Sequence, residues 1–304
     1  MRKIVFYLLL VFCGVLLIDF AYRNICVYAF KSSSEESGVR DKTFAVKKPY
    51  NIVILGASRA ESHYRAKMIE NSIKMSAYNY GSSGGSIVQQ YFALINALNN
   101  DSLKLVILDL TPSQLSNKWI KERTSSFYPY YWENDTVRSI IKQIDGNMMD
   151  LLMCSSLIQY NSHLTSVFLH ILNAKNTLLE ENGFRPLKYT GQEYTVSKND
   201  IEHEGIVGNG GYNSAALSIF HKLIALCNKK GVKVVVCLSP SLVLGDSDKN
   251  YLKNIAVYEK VDCWDFSNFI SDPILFSDAS HLNEKGATLF TDAIIKKMKM
   301  IFCE

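Results

Sequence analysis

None of the seven cysteines (Cys13, Cys26, Cys154, Cys227, Cys237, Cys263 and Cys303) stands in a C-x-x-C pair, and none has histidines at zinc-ligand spacing. Their scatter reads better as a set of buried thiols than as a disulfide framework, and it offers no cysteine-based zinc site. No metal and no cofactor is expected. Basic blocks are missing as well. The net charge is +4 and the lysines are dispersed, so nucleic acid is excluded as a partner. No internal repeat is visible. Charged residues make up 20% of the chain and hydrophobic ones 48%, which sets it apart from disordered sequences and marks it as globular.

What is present begins with an apolar N-terminus. Met1-Arg2-Lys3 precedes an uncharged run, Ile4 to Ile18, and Asp19 ends it, with Phe20-Ala21-Tyr22 extending it. Counted to Tyr22 the run reaches membrane-spanning length, and the leading positive charges place the N-terminus on the cytoplasmic side. Asp19-Phe20-Ala21-Tyr22 is a poor cleavage site, and Phe12 before Cys13 does not suit a lipoprotein. Residues 1–22 are therefore expected to form an uncleaved signal anchor with the remainder of the chain extracytoplasmic. Residues 23–48, polar and aperiodic at their end, are expected to be a tether.

From residue 49 the pattern is that of an α/β protein. Short apolar runs at 52–55, 75–80, 103–110, 232–238 and 261–266 alternate with helical stretches at 60–74, 87–98, 213–229, 252–259 and 284–300. Fully apolar strands between helices signal a parallel sheet covered on both faces. The expected architecture is a three-layer α/β/α, doubly wound, flavodoxin-like fold over 49–304. Residues 115–212 break the alternation and are expected to be an insertion, helical at 137–152 and 157–179 and irregular over 183–212. It is either a lid over the strand ends or a second packing layer. Within it, Phe127-Tyr128-Pro129-Tyr130-Tyr131-Trp132 could stack on sugars, pack the insertion, or lie at a membrane interface. Asn134-Asp135-Thr136 matches a glycosylation triplet.

Three stretches carry chemistry. Gly56-Ala57-Ser58 follows the first strand and puts a serine at the start of a helix, at the carboxyl edge where open α/β sheets hold ligands. Asp278 and His281 lie in the turn before the last helix, spaced so that the carboxylate reaches the imidazole. A hydroxyl is inert at its own pKa, so Ser58 as nucleophile needs such a base. The glycine-rich turn Gly81–Gly85 and the Ser58 N–H supply backbone donors for an oxyanion, with Gly84 or Gly85 contributing. His63, five residues past Ser58, could face the same cleft.

These blocks resemble the SGNH (GDSL-like) hydrolases. Gly56-Ala57-Ser58 is similar to the first block, with Ala57 where aspartate is usual. Asn79-Tyr80-Gly81-Ser82-Ser83-Gly84 is similar to the second, and Asp278-Ala279-Ser280-His281 to the last. The resemblance implies catalysis by Ser58, His281 and Asp278, with an oxyanion held by Ser58 and Gly84. The third block, G-x-N-D, is missing: Leu108-Asp109-Leu110 runs into Thr111-Pro112-Ser113-Gln114, so Ser113 or Gln114 would replace the asparagine. Gly-x-Ser-Arg with an N-terminal anchor resembles the membrane-anchored, extracytoplasmic branch, in which Arg59 would meet an anionic glycan or the acyl carbonyl; the other reading of Arg59 is a surface or helix-capping arginine. The branch implies an esterase or O-acyltransferase acting on acylated cell-envelope glycans, with an acyl donor and a multispanning membrane acyltransferase as partners. A catalytically silent, glycan- or partner-binding module on the same fold is the alternative.

Overall fold

The structure, a computed structural model, describes residues 2–32, 42–46, 48–99, 101–121, 124–172, 181–198, 200, 205 and 211–302. The chain divides into two compact units. One joins Met1–Ala45 with Thr124–Asn176, and the other joins Val46–Arg123 with Thr177–Glu304.

The second unit holds the sheet. Five parallel strands, β1 (Ile52–Leu55), β2 (Ala77–Asn79), β3 (Leu105–Asp109), β4 (Lys233–Leu238) and β5 (Asp262–Asp265), run in the order β2-β1-β3-β4-β5. This is the flavodoxin-like order, with its crossover point between β1 and β3. Every residue of β1, β2 and β3 is buried, as strands covered on both faces require. Ile52, Ile54, Leu105, Ile107, Val235 and Cys237 share one core with the helices Ala66–Ile73 and Glu284–Phe302, through Ile69, Phe290 and Ile294. The pleat sends the intervening strand residues to the opposite face, and there the helices Ile87–Ala97 and Ser214–Lys229 pack on each other.

The helix expected over 60–74 is broken. Ser58–His63 and Ala66–Ile73 are separate, with Tyr64 extended between them at φ −111° and ψ 111°. The cause lies far away in sequence. The Tyr64 hydroxyl donates to Asp109 Oδ2 at 2.6 Å, and Asn79 Nδ2 donates to the carbonyls of Ala60 and Tyr64 at 2.7 and 2.9 Å. Carbonyls that a continuous helix would have satisfied are thus met by the end of β2. The helix expected over 252–259 starts earlier, at Asp246, where Asp246 and Asp248 favour the N-terminal end of the dipole.

The other unit departs further from expectation. The N-terminal helix runs from Arg2 to Ser32, so residues 23–32 are helical and not part of a tether. They gain a buried face there: Cys26 and Ala29 pack with Tyr160 and Val167. Residues 33–41 of the expected tether lie outside the described residues. The expected insertion 115–212 is not one piece either, since only Thr124–Asn176 joins the N-terminal helix, and the rest belongs with the sheet. Its first helix, Asp135–Asp145, stops at Gly146, and a separate turn follows at Met149–Leu152. Asn134 caps the first helix, its Oδ1 accepting the N–H groups of Thr136 and Val137. The aromatic stretch packs inward, with Phe127, Tyr130 and Tyr131 buried and Phe44 against both Phe127 and Tyr130. Cys26, Cys227 and Cys237 are buried as expected, whereas Cys13 and Cys154 are exposed.

One glycine shows how tightly the sheet edge is fitted. A Cβ on Gly81 would lie 2.4 Å from Glu61 N and 2.7 Å from Ala60 C, both backbone atoms of the helix that begins at Ser58. Gly81→Ala should therefore cost about 1–3 kcal/mol by overpacking, read as a lower urea midpoint. An unchanged midpoint would mean that this helix does not pack against the Gly81 turn.

Candidate active site

Ser58 is the first residue of the helix Ser58–His63, directly beyond β1, and Ala57 occupies the cap position. Its hydroxyl donates to His281 Nε2 at 2.6 Å, a contact between residues 223 positions apart. The other imidazole nitrogen, Nδ1, lies 2.8 Å from both Asp278 Oδ1 and Oδ2. An ionised carboxylate only accepts, so the proton sits on Nδ1 and leaves Nε2 bare toward the serine. Asp278 is fixed by its own turn, since Oδ1 also accepts the N–H groups of Ser280 and His281, each at 2.9 Å. Burial pushes this carboxyl upward, but the His281 hydrogen bond and charge and the two backbone donors outweigh it and hold the group below the ordinary aspartate value. Ser58, His281 and Asp278 are thus brought together as the sequence reading expects.

The glycine-rich turn separates the two candidate donors. The Gly85 N–H is used within the turn, donating to Ser82 O at 2.8 Å. Gly84 sits at φ +68°, a conformation that disfavours a side chain, and its N–H has no protein acceptor among the described residues. The turn is anchored by Asn79, whose Oδ1 accepts the Gly81 N–H at 2.8 Å. Glu61 anchors it too: its Oε2 accepts from Ser83 N at 3.1 Å and from Ser83 Oγ at 2.6 Å. Arg185 adds to this, donating to Ser83 Oγ at 3.1 Å and pairing with Glu61 at 3.4 Å. Sequence reasoning passed over Glu61 and Arg185. The position of Glu61 three residues after the serine, on the same short helix, was the available signal.

The third loop differs from expectation. Gln114 is buried and its amide is consumed locally: Oε1 accepts the Thr111 N–H at 3.0 Å and Nε2 donates to Asp109 O at 3.2 Å. It forms a capping box for the turn Pro112–Leu115 and is not placed as a substrate ligand. Ser113 pairs with the Thr111 hydroxyl at 2.8 Å. Neither touches Ser58 or His281 among the described contacts. Arg59 is only 2% exposed, so it lies inside the unit rather than on an open substrate surface.

His63 does not face the cleft. It is fully buried, and its Nε2 accepts the Leu282 N–H at 2.9 Å, next to His281 in the chain. Its carbonyl accepts from Thr291 Oγ1 at 3.1 Å, and its ring stands edge-on to His281, with centroids 6.3 Å apart. The helix bearing Ser58 is thereby tied to the turn bearing His281. Burial, and then the charges of His281 and Arg59, hold the His63 pKa well below the ordinary histidine value.

No protein-family model and no curated protein matches the chain. Solved structures similar to it include an acetyl xylan esterase, AlAXEase, at 12% identity over 81% of this chain and 98% of that one, with a TM-score of 0.42. A GDSL-like lipase from Bacteroides thetaiotaomicron is 11% identical over 91% of this chain and 96% of that one, with a TM-score of 0.39. A catalytic mutant of the acetylxylan esterase Axe2 from Geobacillus stearothermophilus is 8% identical over 83% and 95%, with a TM-score of 0.40. Identities of this order leave the chemistry to be read from the side chains themselves.

The buried His63 gives a pH test with a definite sign. The folded chain resists protonating it and the unfolded chain does not, so the unfolded state binds more protons below about pH 6.5. Stability is complete above that value and falls as the pH drops through it. His63→Gln, which keeps an acceptor for Leu282 N–H, should remove up to about 1.4 kcal/mol per pH unit of that slope. Denaturant unfolding at pH 5, 6 and 7.5 measures it; equal slopes for both proteins would contradict a neutral, buried His63.

Proposed function

We propose that the chain is a membrane-anchored serine esterase or O-acyltransferase of the SGNH kind, acting outside the cytoplasmic membrane on acyl, mainly acetyl, esters of a cell-envelope glycan. The observation that carries this reading is the Ser58–His281–Asp278 relay, with Ser58 Oγ 2.6 Å from His281 Nε2 and Asp278 on the opposite nitrogen. In this reading Ser58 Oγ attacks the acyl carbonyl while His281 Nε2 takes its proton. The tetrahedral oxyanion is held by the backbone N–H groups of Ser58 and Gly84. His281 then returns the proton to the departing sugar oxygen, leaving the acyl group on Ser58. Water, or a second sugar hydroxyl, attacks that ester with His281 again as base, giving hydrolysis or transfer. Asp278 keeps the imidazole in the required tautomer throughout.

The helix Arg2–Ser32 supports the location, being long and apolar enough to cross a membrane, with Arg2 and Lys3 flanking its start. An acyl donor, or a multispanning acyltransferase that delivers one, is the partner this placement calls for.

A second reading, a catalytically silent binding module, draws on the third loop. With Gln114 occupied in its own cap, its amide does not stand in for the asparagine. A missing donor costs about 3 kcal/mol of transition-state stabilisation, which slows such a site without disabling it.

Labelling with a fluorophosphonate probe separates the two. The full chain should be labelled, and Ser58→Ala should not be. Hydrolysis of an aryl acetate should fall at least about 10³-fold in Ser58→Ala. Equal labelling of both proteins, or none of either, rules out the enzyme reading.

A further inference from the structure

The segment from Met149 to Leu172 carries an apolar surface that the relay does not use. We infer that this segment is a second membrane element, lying in the outer-leaflet interface of the bilayer beside the N-terminal helix. The inference rests on the reading of that helix as an anchor.

The span is short for a bilayer. The uncharged run Ile4–Ile18 rises about 22 Å as a helix, against a hydrocarbon core of about 30 Å. Asp19 follows at once, yet its carboxylate is already engaged. It accepts Ser155 Oγ at 2.8 Å and the N–H groups of Ser156 and Leu157 at 3.0 and 3.1 Å, at the start of the helix Ser156–Gln159. The segment continues up the same face of the anchor. Cys26 and Ala29 are buried with Tyr160 and Val167, and Phe30 stacks edge-on against Tyr160 and His163. What would have been the polar end of the span is thereby covered by the segment itself.

The outward side of the segment carries large apolar side chains between the polar Asn161, Ser162 and Thr165. Leu157, Leu164, Phe168, Ile171 and Leu172 are all exposed, with Leu164 at 53% and Phe168 at 59%. On the anchor, Phe20, Ile25 and Tyr28 are exposed beyond Asp19. The apolar surface therefore runs on from Ile4–Ile18 past Asp19 and onto the segment. Residues 146–172 contain one side chain charged at neutral pH, Asp150, and it is neutralised by Arg138 at 2.7 Å and Lys142 at 2.5 Å. The backbone closes its own turns, as in Leu152 N–H to Met148 O and Leu172 N–H to Phe168 O, so the polar main chain is not an obstacle. An exposed apolar surface of this density needs a cover. Continuity with the span points to lipid as that cover, in the manner of interfacial helices, with the exposed Arg23 of the anchor at headgroup level.

The test uses the full chain in phosphatidylcholine vesicles, with an environment-sensitive fluorescent amino acid placed at Phe168, at Leu164, or at the exposed Val257 of the sheet unit. At Phe168 and Leu164 the emission should shift to the blue, and lipid carrying a shallow nitroxide should quench it about two-fold or more. At Val257 it should stay aqueous and unquenched. Aqueous emission at both segment positions overturns the inference. So does a blue shift without lipid quenching, which would mean that a second copy or another protein covers the segment. A chain that fails to float with the vesicles defeats the anchor reading, and this inference with it, whereas a floating chain with unquenched labels defeats this inference alone.

Discussion

The 2.6 Å contact between Ser58 and His281 is the constraint on which the sheet unit depends. Two residues at opposite ends of the chain meet only if β1 and the last helix are held at one edge of the sheet to within a fraction of an ångström. Parallel topology supplies the coarse alignment, because every strand of such a sheet ends at the same edge. Fine alignment comes from side chains that bridge the two ends. His63 holds the Leu282 N–H, Thr291 holds the His63 carbonyl, and Thr291 Oγ1 also accepts the Arg65 N–H at 3.0 Å. Each bridge joins the Ser58 helix, or the break after it, to the element carrying His281. A buried hydrogen bond of this kind contributes only about 1 kcal/mol, but leaving its partner unsatisfied costs about 1–3. The clamp therefore discriminates strongly against displaced arrangements even though it adds little net stability.

The break at Tyr64 belongs to the same design. A continuous helix from Ser58 would carry Tyr64 past the sheet. Breaking it there lets the phenol reach Asp109 at the end of β3, while Asn79 at the end of β2 takes up the freed carbonyls. The ends of β1, β2 and β3 are thus cross-linked through buried polar groups just below Ser58 and Gly81. Burial, and then the neighbouring Asp109, push the Tyr64 phenol well above its ordinary pKa, so it remains a donor to the carboxylate across the physiological range. Asp109 and Gln114 thus serve the scaffold: one carboxylate oxygen holds Tyr64, and the Gln114 amide closes its own turn.

Much of this was legible in the sequence because the signals were local. Apolar runs such as IVIL and LVILD read as doubly covered strands. A serine at the end of the first, and Asp-x-x-His before the last helix, announced the relay. What escaped notice depended on partners remote in sequence. The helix over 60–74 was expected to be continuous because nothing within it reveals Asn79 or Asp109. Gln114 is the exception, since its amide is taken up locally by the main chain of Thr111 and Asp109. From the sequence His63 could face the cleft, but its role is set by Leu282, 219 positions away. The membership of residues 124–176 was hidden for the same reason, since Asp19 looks like the end of a span until Ser155 and its neighbours are seen on it.

Whether the acyl group on Ser58 would pass to water or to a sugar is decided by concentration at the relay, not by the relay itself. In the proposed reaction His281 would deprotonate either acceptor in the same way. Its side chain is 21% exposed and that of Asp278 46%, so water reaches both groups. A sugar hydroxyl overtakes water only if it is held near the acyl carbon at an effective molarity above water's, and oriented intramolecular groups reach about 10⁵ M and more. Binding of the acceptor, and not a change of catalytic residue, would thus convert a hydrolase of this geometry into a transferase. The determinants lie in whatever fixes the second sugar.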